Sequence, residues 1–313
     1  MSGTKLVIVA GVGDLAANDP ALLAAVELAR GAGAELHLVR AYDLPPTLEA
    51  TSGFSLGLAG RTQEYHEQVA DELRAAAGDG DVACHVRHGS PGACLLQVAK
   101  EAGAGLLVVG AARGARLRRM VLGTTAQRVL RESPVPVLVI RRPVARPLGH
   151  VLLTGDLSEL SGAVQDAALP LVERLFGVPA AARSLYVVPW SLVPPPLDDS
   201  AVEAAARDEL DEFLCVRSER GYPVEAEVRM GDPAEEIVAE ARDWNAELVV
   251  VGTHARGWGA RLLLGSVAEA TLRDAPCNVL AVPPRRSVRV SGPDPTCVES
   301  EDLSLWAEAA GVP

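Results

Sequence analysis

Residues 105–140, GLLVVGAARGARLRRMVLGTTAQRVLRESPVPVLVI, recur without a gap as residues 247–282, ELVVVGTHARGWGARLLLGSVAEATLRDAPCNVLAV, with 13 of 36 positions identical at an offset of 142. A match this long and dense marks an internal duplication. The same offset carries Gly89-Ser90-Pro91 onto Gly231-Asp232-Pro233, and LVIVA at 6–10 has a counterpart in VLLTG at 151–155. The repeated unit is therefore a whole domain of about 140 residues rather than a small solenoid unit. The sequence divides into a first domain at 1–142, a linker at 143–149 whose neighbourhood RRPVARPLG carries two prolines, a second domain at 150–284, and an acidic C-terminal tail at 285–313. The tail, with Trp306 and its leucines, reads as a docking helix or a mobile end.

Within each copy, short β-branched runs alternate with Ala/Leu/Glu-rich stretches of helical character. Strands are expected at 5–10, 35–41, 82–87, 105–110 and 135–140, and again at 150–155, 183–188, 224–229, 247–252 and 278–282. Five strands alternating with four helices predict an α/β domain whose parallel sheet is covered on both faces. Composition agrees: 49% of residues are hydrophobic but only 4% aromatic, so the cores are built from Val, Leu and Ala.

Charge and cysteine content exclude several functions. The net charge is −12 and Lys5 and Lys100 are the only lysines, so the chain repels phosphate backbones and no nucleic-acid partner is expected. No apolar run approaches the roughly 18 residues of a membrane span, and the start lacks the pattern of a secretory leader. Five cysteines without a C-x-x-C pair point to a reduced, cytoplasmic compartment.

The duplicated segment carries the chemistry. In each copy an apolar strand ends in glycine, Gly110 or Gly252, and runs through a small-residue loop into a helix opened by Gly123-Thr124 or Gly265-Ser266. Such a turn presents backbone N–H groups and the positive end of a helix dipole, the elements of an anion site. Glycine lets the backbone approach phosphate closely, and Ser266 adds a hydroxyl donor.

The spacing G-x2-G-x9-G-[S/T] at the fourth strand resembles the motif of the universal stress protein family, over both halves. The resemblance implies a five-stranded sheet ordered 3-2-1-4-5, pairing of domains through their fifth strands, and, in one subset, ATP in the motif loop. It carries the site onto Gly252, Thr253, Gly265, Ser266 and Val267 in the second copy, where Ala255 stands for the second glycine, and onto Gly110, Gly123 and Thr124 in the first, where Arg113 stands for it. It also implies a nucleoside-holding aspartate after the first strand, Asp156 in the second copy; the first copy places Gly11 opposite it, with Asp14 three residues later. The adenine contact maps near Val188 to Trp190, and near Arg40-Ala41 in the first copy.

Structural explanations stand beside these. Asp156 with Glu159 also fits a helix cap. Arg113, Arg116, Arg118 and Arg119 read either as charge that draws phosphate, with Arg113 placed to reach it, or, the commoner explanation, as helix charge beside an acidic partner domain. Cys84 and His88 face one side of a strand and His85 the other, which opposes a shared metal. His254 touches a phosphate or caps the loop. No Walker lysine, no dinucleotide fingerprint and no catalytic triad is present, so at most a slow ATPase is expected.

The expected function is a cytoplasmic stress-response protein holding ATP, ADP or AMP, with or without magnesium, as a regulatory ligand. Its partners are then the nucleotide, the paired domain within the chain, a second copy in a homodimer, and an unidentified protein. The alternative is a nucleotide-free interaction module acting through domain pairing and a protein partner.

Overall fold

The central strands of each half are short Val/Leu/Ile-rich runs, and most of their residues are buried, whereas the strands at the two outer edges of the sheet are mixed and mostly half-buried. The computed structural model describes residues 5–13, 19–42, 55–78, 82–111, 122–192, 199–215, 223–253 and 264–283. The first half contains β1 (Val7–Gly11), β2 (Glu35–Tyr42), β3 (Val82–His88), β4 (Leu106–Gly110) and β5 (Val137–Ile140), with helices α1 (Pro20–Ala32), α2 (Ser55–Ala77), α3 (Pro91–Ala102) and α4 (Thr124–Glu132). The second half repeats the series: β6 (His150–Gly155), β7 (Ala181–Val188), β8 (Val224–Met230), β9 (Leu248–Gly252) and β10 (Asn278–Val282), with α5 (Glu159–Phe176), α6 (Asp199–Cys215), α7 (Pro233–Asp243) and α8 (Ser266–Asp274).

Local chemistry fixes the helix ends. The Asp19 carboxylate accepts from Ala21 N and Leu22 N, Pro20 opens α1, and Gly33 closes it at φ 61°. Asp232 and Pro233 start α7 in the same way. Within each half all five strands are parallel in the order 3-2-1-4-5, as expected. Right-handed crossovers then place α1 and α2 on one face and α3 and α4 on the other.

The two sheets join through their fifth strands. β5 and β10 run antiparallel, with Val137, Leu138 and Val139 opposite Ala281, Leu280 and Val279, so one ten-stranded sheet runs from β3 to β8. Every residue of both strands is buried. Two apolar edges that would otherwise template aggregation are covered by each other, and α1 packs against α5 across the junction. Because β5 and β10 are antiparallel, the C-terminal ends of the strands, where ligands bind in open α/β sheets, lie on opposite edges of the sheet.

One side chain fastens the junction. Asn278 Oδ1 accepts from Arg141 N at 2.8 Å and Arg142 N at 3.1 Å, while the Arg141 guanidinium donates to the Leu272 and Arg273 carbonyls at the end of α8. Asn278→Ala is expected to leave two backbone donors unpaired and to cost about 1–3 kcal/mol. Urea unfolding checks this; an unchanged midpoint would show that water replaces the amide at no cost.

At the β2–β3 edge, His37 Nδ1 lies 2.9 Å from His85 Nε2, and His37 Nε2 lies 2.9 Å from Glu35 Oε1. Cys84 pairs in register with Leu38 on the opposite face, so Cys84 and His85 do not converge on one point. Burial lowers the His85 pKa, and His37 and Arg87 lower it further against the pull of Glu101. The folded protein thus binds fewer protons at His85 than the unfolded chain. That contribution is complete above the unfolded value of about 6.5 and is lost as pH falls through the folded one. The urea midpoint should decline from pH 7 to pH 5, less steeply in His85→Gln; equal slopes would rule His85 out as the cause.

Candidate functional site

The anion-site pattern predicted for the fourth strand of the second copy lies at the wall of a cavity of about 510 Å³ at the C-terminal end of its sheet. β9 delivers Gly252 to the rim, and Gly265 opens α8 with φ −60°. Among the described residues no side chain caps α8, and its first three residues, Ser266, Val267 and Ala268, border the cavity with Gly265 before them. The N–H groups of that turn, with the helix dipole behind them, are what an anion needs. The Ser266 side chain is exposed at the rim.

The opposite wall comes from the first strand and its helix. Asp156, exposed at the end of β6, accepts through Oδ1 from the backbone and hydroxyl of Ser158, a local Asx-type turn. Ser158, not Asp156, is the N-cap of α5, its hydroxyl accepting from Ser161 N at 3.2 Å. The capping role considered for Asp156 with Glu159 is thereby corrected, and the carboxylate stands at the cavity instead. The floor is apolar: Val164 from α5, Ile237 from α7 and Val251 from β9. Adding a Cβ to Gly252 would bring it to 3.5 Å from Val164 Cγ2, ordinary contact.

Of the residues assigned in the second copy, Asp156, Gly252, Gly265, Ser266 and Val267 border one cavity. Thr253 does not: it is 3% exposed and ties the loop together, its N–H donating to Val282 O and its carbonyl accepting from Gly265 N. Trp190, a candidate for stacking on a base, is 57% exposed and lies off the cavity, whose rim there is Tyr186, Val187 and Pro189. Tyr186, which the mapping near Val188 to Trp190 does not include, also borders the cavity. In the first copy Gly110 ends β4 and Gly123-Thr124 opens α4, again without a side-chain cap among the described residues. Asp14, Arg113, Arg116, Arg118, Arg119, His254, Ala255 and the tail from 284 onward lie outside the described residues.

Comparison with known proteins agrees with the duplication and the sheet order. The universal stress protein family matches twice, at residues 6–141 and 148–283. The chain belongs to the universal stress protein family. A universal stress protein of Mycobacterium tuberculosis is 30% identical over 241 residues, covering 72% of this chain and 78% of its own. A second from the same organism is 32% identical over 205 residues, covering 61% and 65%. The crystal structure of a universal stress protein from Archaeoglobus fulgidus shares the fold with a TM-score of 0.62 at 19% identity, covering 88% of this chain and 98% of that one. This is a tandem universal stress protein, and its family supports a role in the stress response. Among the described residues no helix is long and apolar enough to cross a membrane.

Proposed function

We propose that this universal stress protein binds an adenine nucleotide, ATP or else ADP or AMP, in its second domain as a regulatory ligand in the cytoplasm. The carrying observation is the convergence of an uncapped helix N-terminus, the Gly252 strand end and an exposed carboxylate around one cavity large enough for a nucleotide. Phosphates would lie against Gly265, Ser266 and Val267, a ribose against Asp156, and a base between Val187, Pro189 and the apolar floor. Magnesium, if it accompanies ATP, would arrive on the phosphates: the described residues contain no cluster of three metal-ligating groups.

Protein purified without added nucleotide and then denatured should release an adenine compound detectable by chromatography. Calorimetric titration should give binding that Ser266→Ala weakens about tenfold or more, the effect of removing a hydrogen bond to a charged phosphate worth about 1–3 kcal/mol. No release and no binding would leave the nucleotide-free interaction module as the function. We also place two chains in a homodimer, symmetric pairs being the commonest assemblies, and a protein partner downstream; a light-scattering mass of one chain across a concentration series would reject the dimer.

A further inference from the structure

The two mouths are not equivalent, and sheet register shows where they differ. Ile8 pairs with Leu106 as Val151 pairs with Leu248, so Gly13, not Gly11, is the counterpart of Asp156. Gly11 pairs with Val39 and Gly155 with Tyr186, so Val12 matches Gly155 and Arg40 matches Tyr186.

Each of these positions carries different chemistry in the first domain. The missing carboxylate is supplied from elsewhere: Asp19 Oδ2 lies 3.8 Å from where a Cβ on Gly13 would stand. That carboxylate is engaged by the protein itself. Asp19 is 7% exposed, and its oxygens accept from Gly13 N at 3.3 Å, Ala21 N at 2.8 Å and Leu22 N at 3.3 Å. Asp156, by contrast, is exposed and borders the cavity of the second domain. Where Tyr186 borders the second cavity, Arg40 reaches across from β2 and donates to the Val12 carbonyl at 3.3 Å, tying the ends of β2 and β1 together. Among the described residues its buried Nε has no hydrogen-bond partner.

We infer that the first domain's mouth is closed to nucleosides by its own Asp19 and Arg40, so that each chain is a one-site receptor that binds through its second domain. The inference rests on the nucleotide reading of the second domain. A ribose and base entering the first domain would have to displace Arg40 from the Val12 carbonyl and would meet a buried carboxylate that already accepts from Gly13 N, Ala21 N and Leu22 N. Binding there should be roughly 100-fold weaker than in the second domain. The first domain then contributes the other half of the ten-stranded sheet.

Equilibrium dialysis with radiolabelled ATP, together with arginine modification by phenylglyoxal followed by peptide mass analysis, tests this on the full chain. The expected result is one ATP per chain at saturation and a rate of Arg40 modification that ATP does not change. Two ATP per chain, or protection of Arg40 by ATP, overturns the inference while leaving nucleotide binding in place. No ATP bound to the wild type overturns the nucleotide reading and the count of one with it.

Discussion

A Gly265→Val protein should take up no adenine nucleotide at concentrations that fill the wild type, whereas Gly123→Val should bind as the wild type does. Gly265 is the N-cap of α8 at φ −60° and ψ 143°, a conformation open to any residue, so valine there does not strain the backbone. Glycine ranks close to serine as an N-cap and well above valine, so the exchange weakens the start of α8 by about 1 kcal/mol, far less than the roughly 5–15 kcal/mol that keeps a domain folded. What changes is the room beside the first turn, where an isopropyl group would stand at the wall against which phosphate is proposed to lie. A loss beyond 100-fold, about 2.7 kcal/mol, is expected, larger than for Ser266→Ala because the whole phosphate contact is removed instead of one hydroxyl. Calorimetric titration of the three proteins decides the matter. Binding that survives Gly265→Val and disappears with Gly123→Val would assign the ligand to the wrong half.

The parts that sequence made legible are those in which side-chain identity carries the information. Gly252, Gly265 and Ser266 stand at a strand end and a helix start because glycine and serine suit those places, and the duplication itself is read from identities. The parts it missed are set by backbone pairing. LVIVA and VLLTG share no residue that locks their alignment, since Val, Leu and Ile are interchangeable in a strand buried on both faces. Sliding one past the other by two positions keeps every side chain on its proper face. Gly11 was therefore set opposite Asp156, a place the pairing with β4 gives to Gly13. The same ambiguity along the second strand hid Tyr186 as part of the cavity wall. Asp19 was invisible for another reason: its carboxylate reaches Gly13 through the folded start of α1, six residues along the chain. The cap of α5 was misread for want of one distinction, since an aspartate two residues before a serine accepts from that serine and leaves it to cap the helix.

The largest loss of stability should come from Leu280→Asp, and it should be felt in both domains. Leu280 is fully buried in β10, between β9 and β5, opposite the equally buried Leu138. Removing the leucine side chain costs about 2–5 kcal/mol, and a carboxylate without a partner in that interior adds several more. The sum reaches the roughly 5–15 kcal/mol that holds a typical domain folded, so the variant should be largely unfolded or insoluble. Leu280→Ala provides the measurable companion, expected to melt about 5–15 °C below the wild type. Since β10 supplies the hydrogen-bonded neighbour of β5, the loosened strand withdraws cover from the first domain as well. Hydrogen exchange in peptides spanning β4 and β5 should therefore quicken in Leu280→Ala together with that of β9 and β10. Exchange that rises only in the second domain would mean that the fifth strands touch without sharing one cooperative core, and that the ten-stranded sheet is two folding units laid edge to edge.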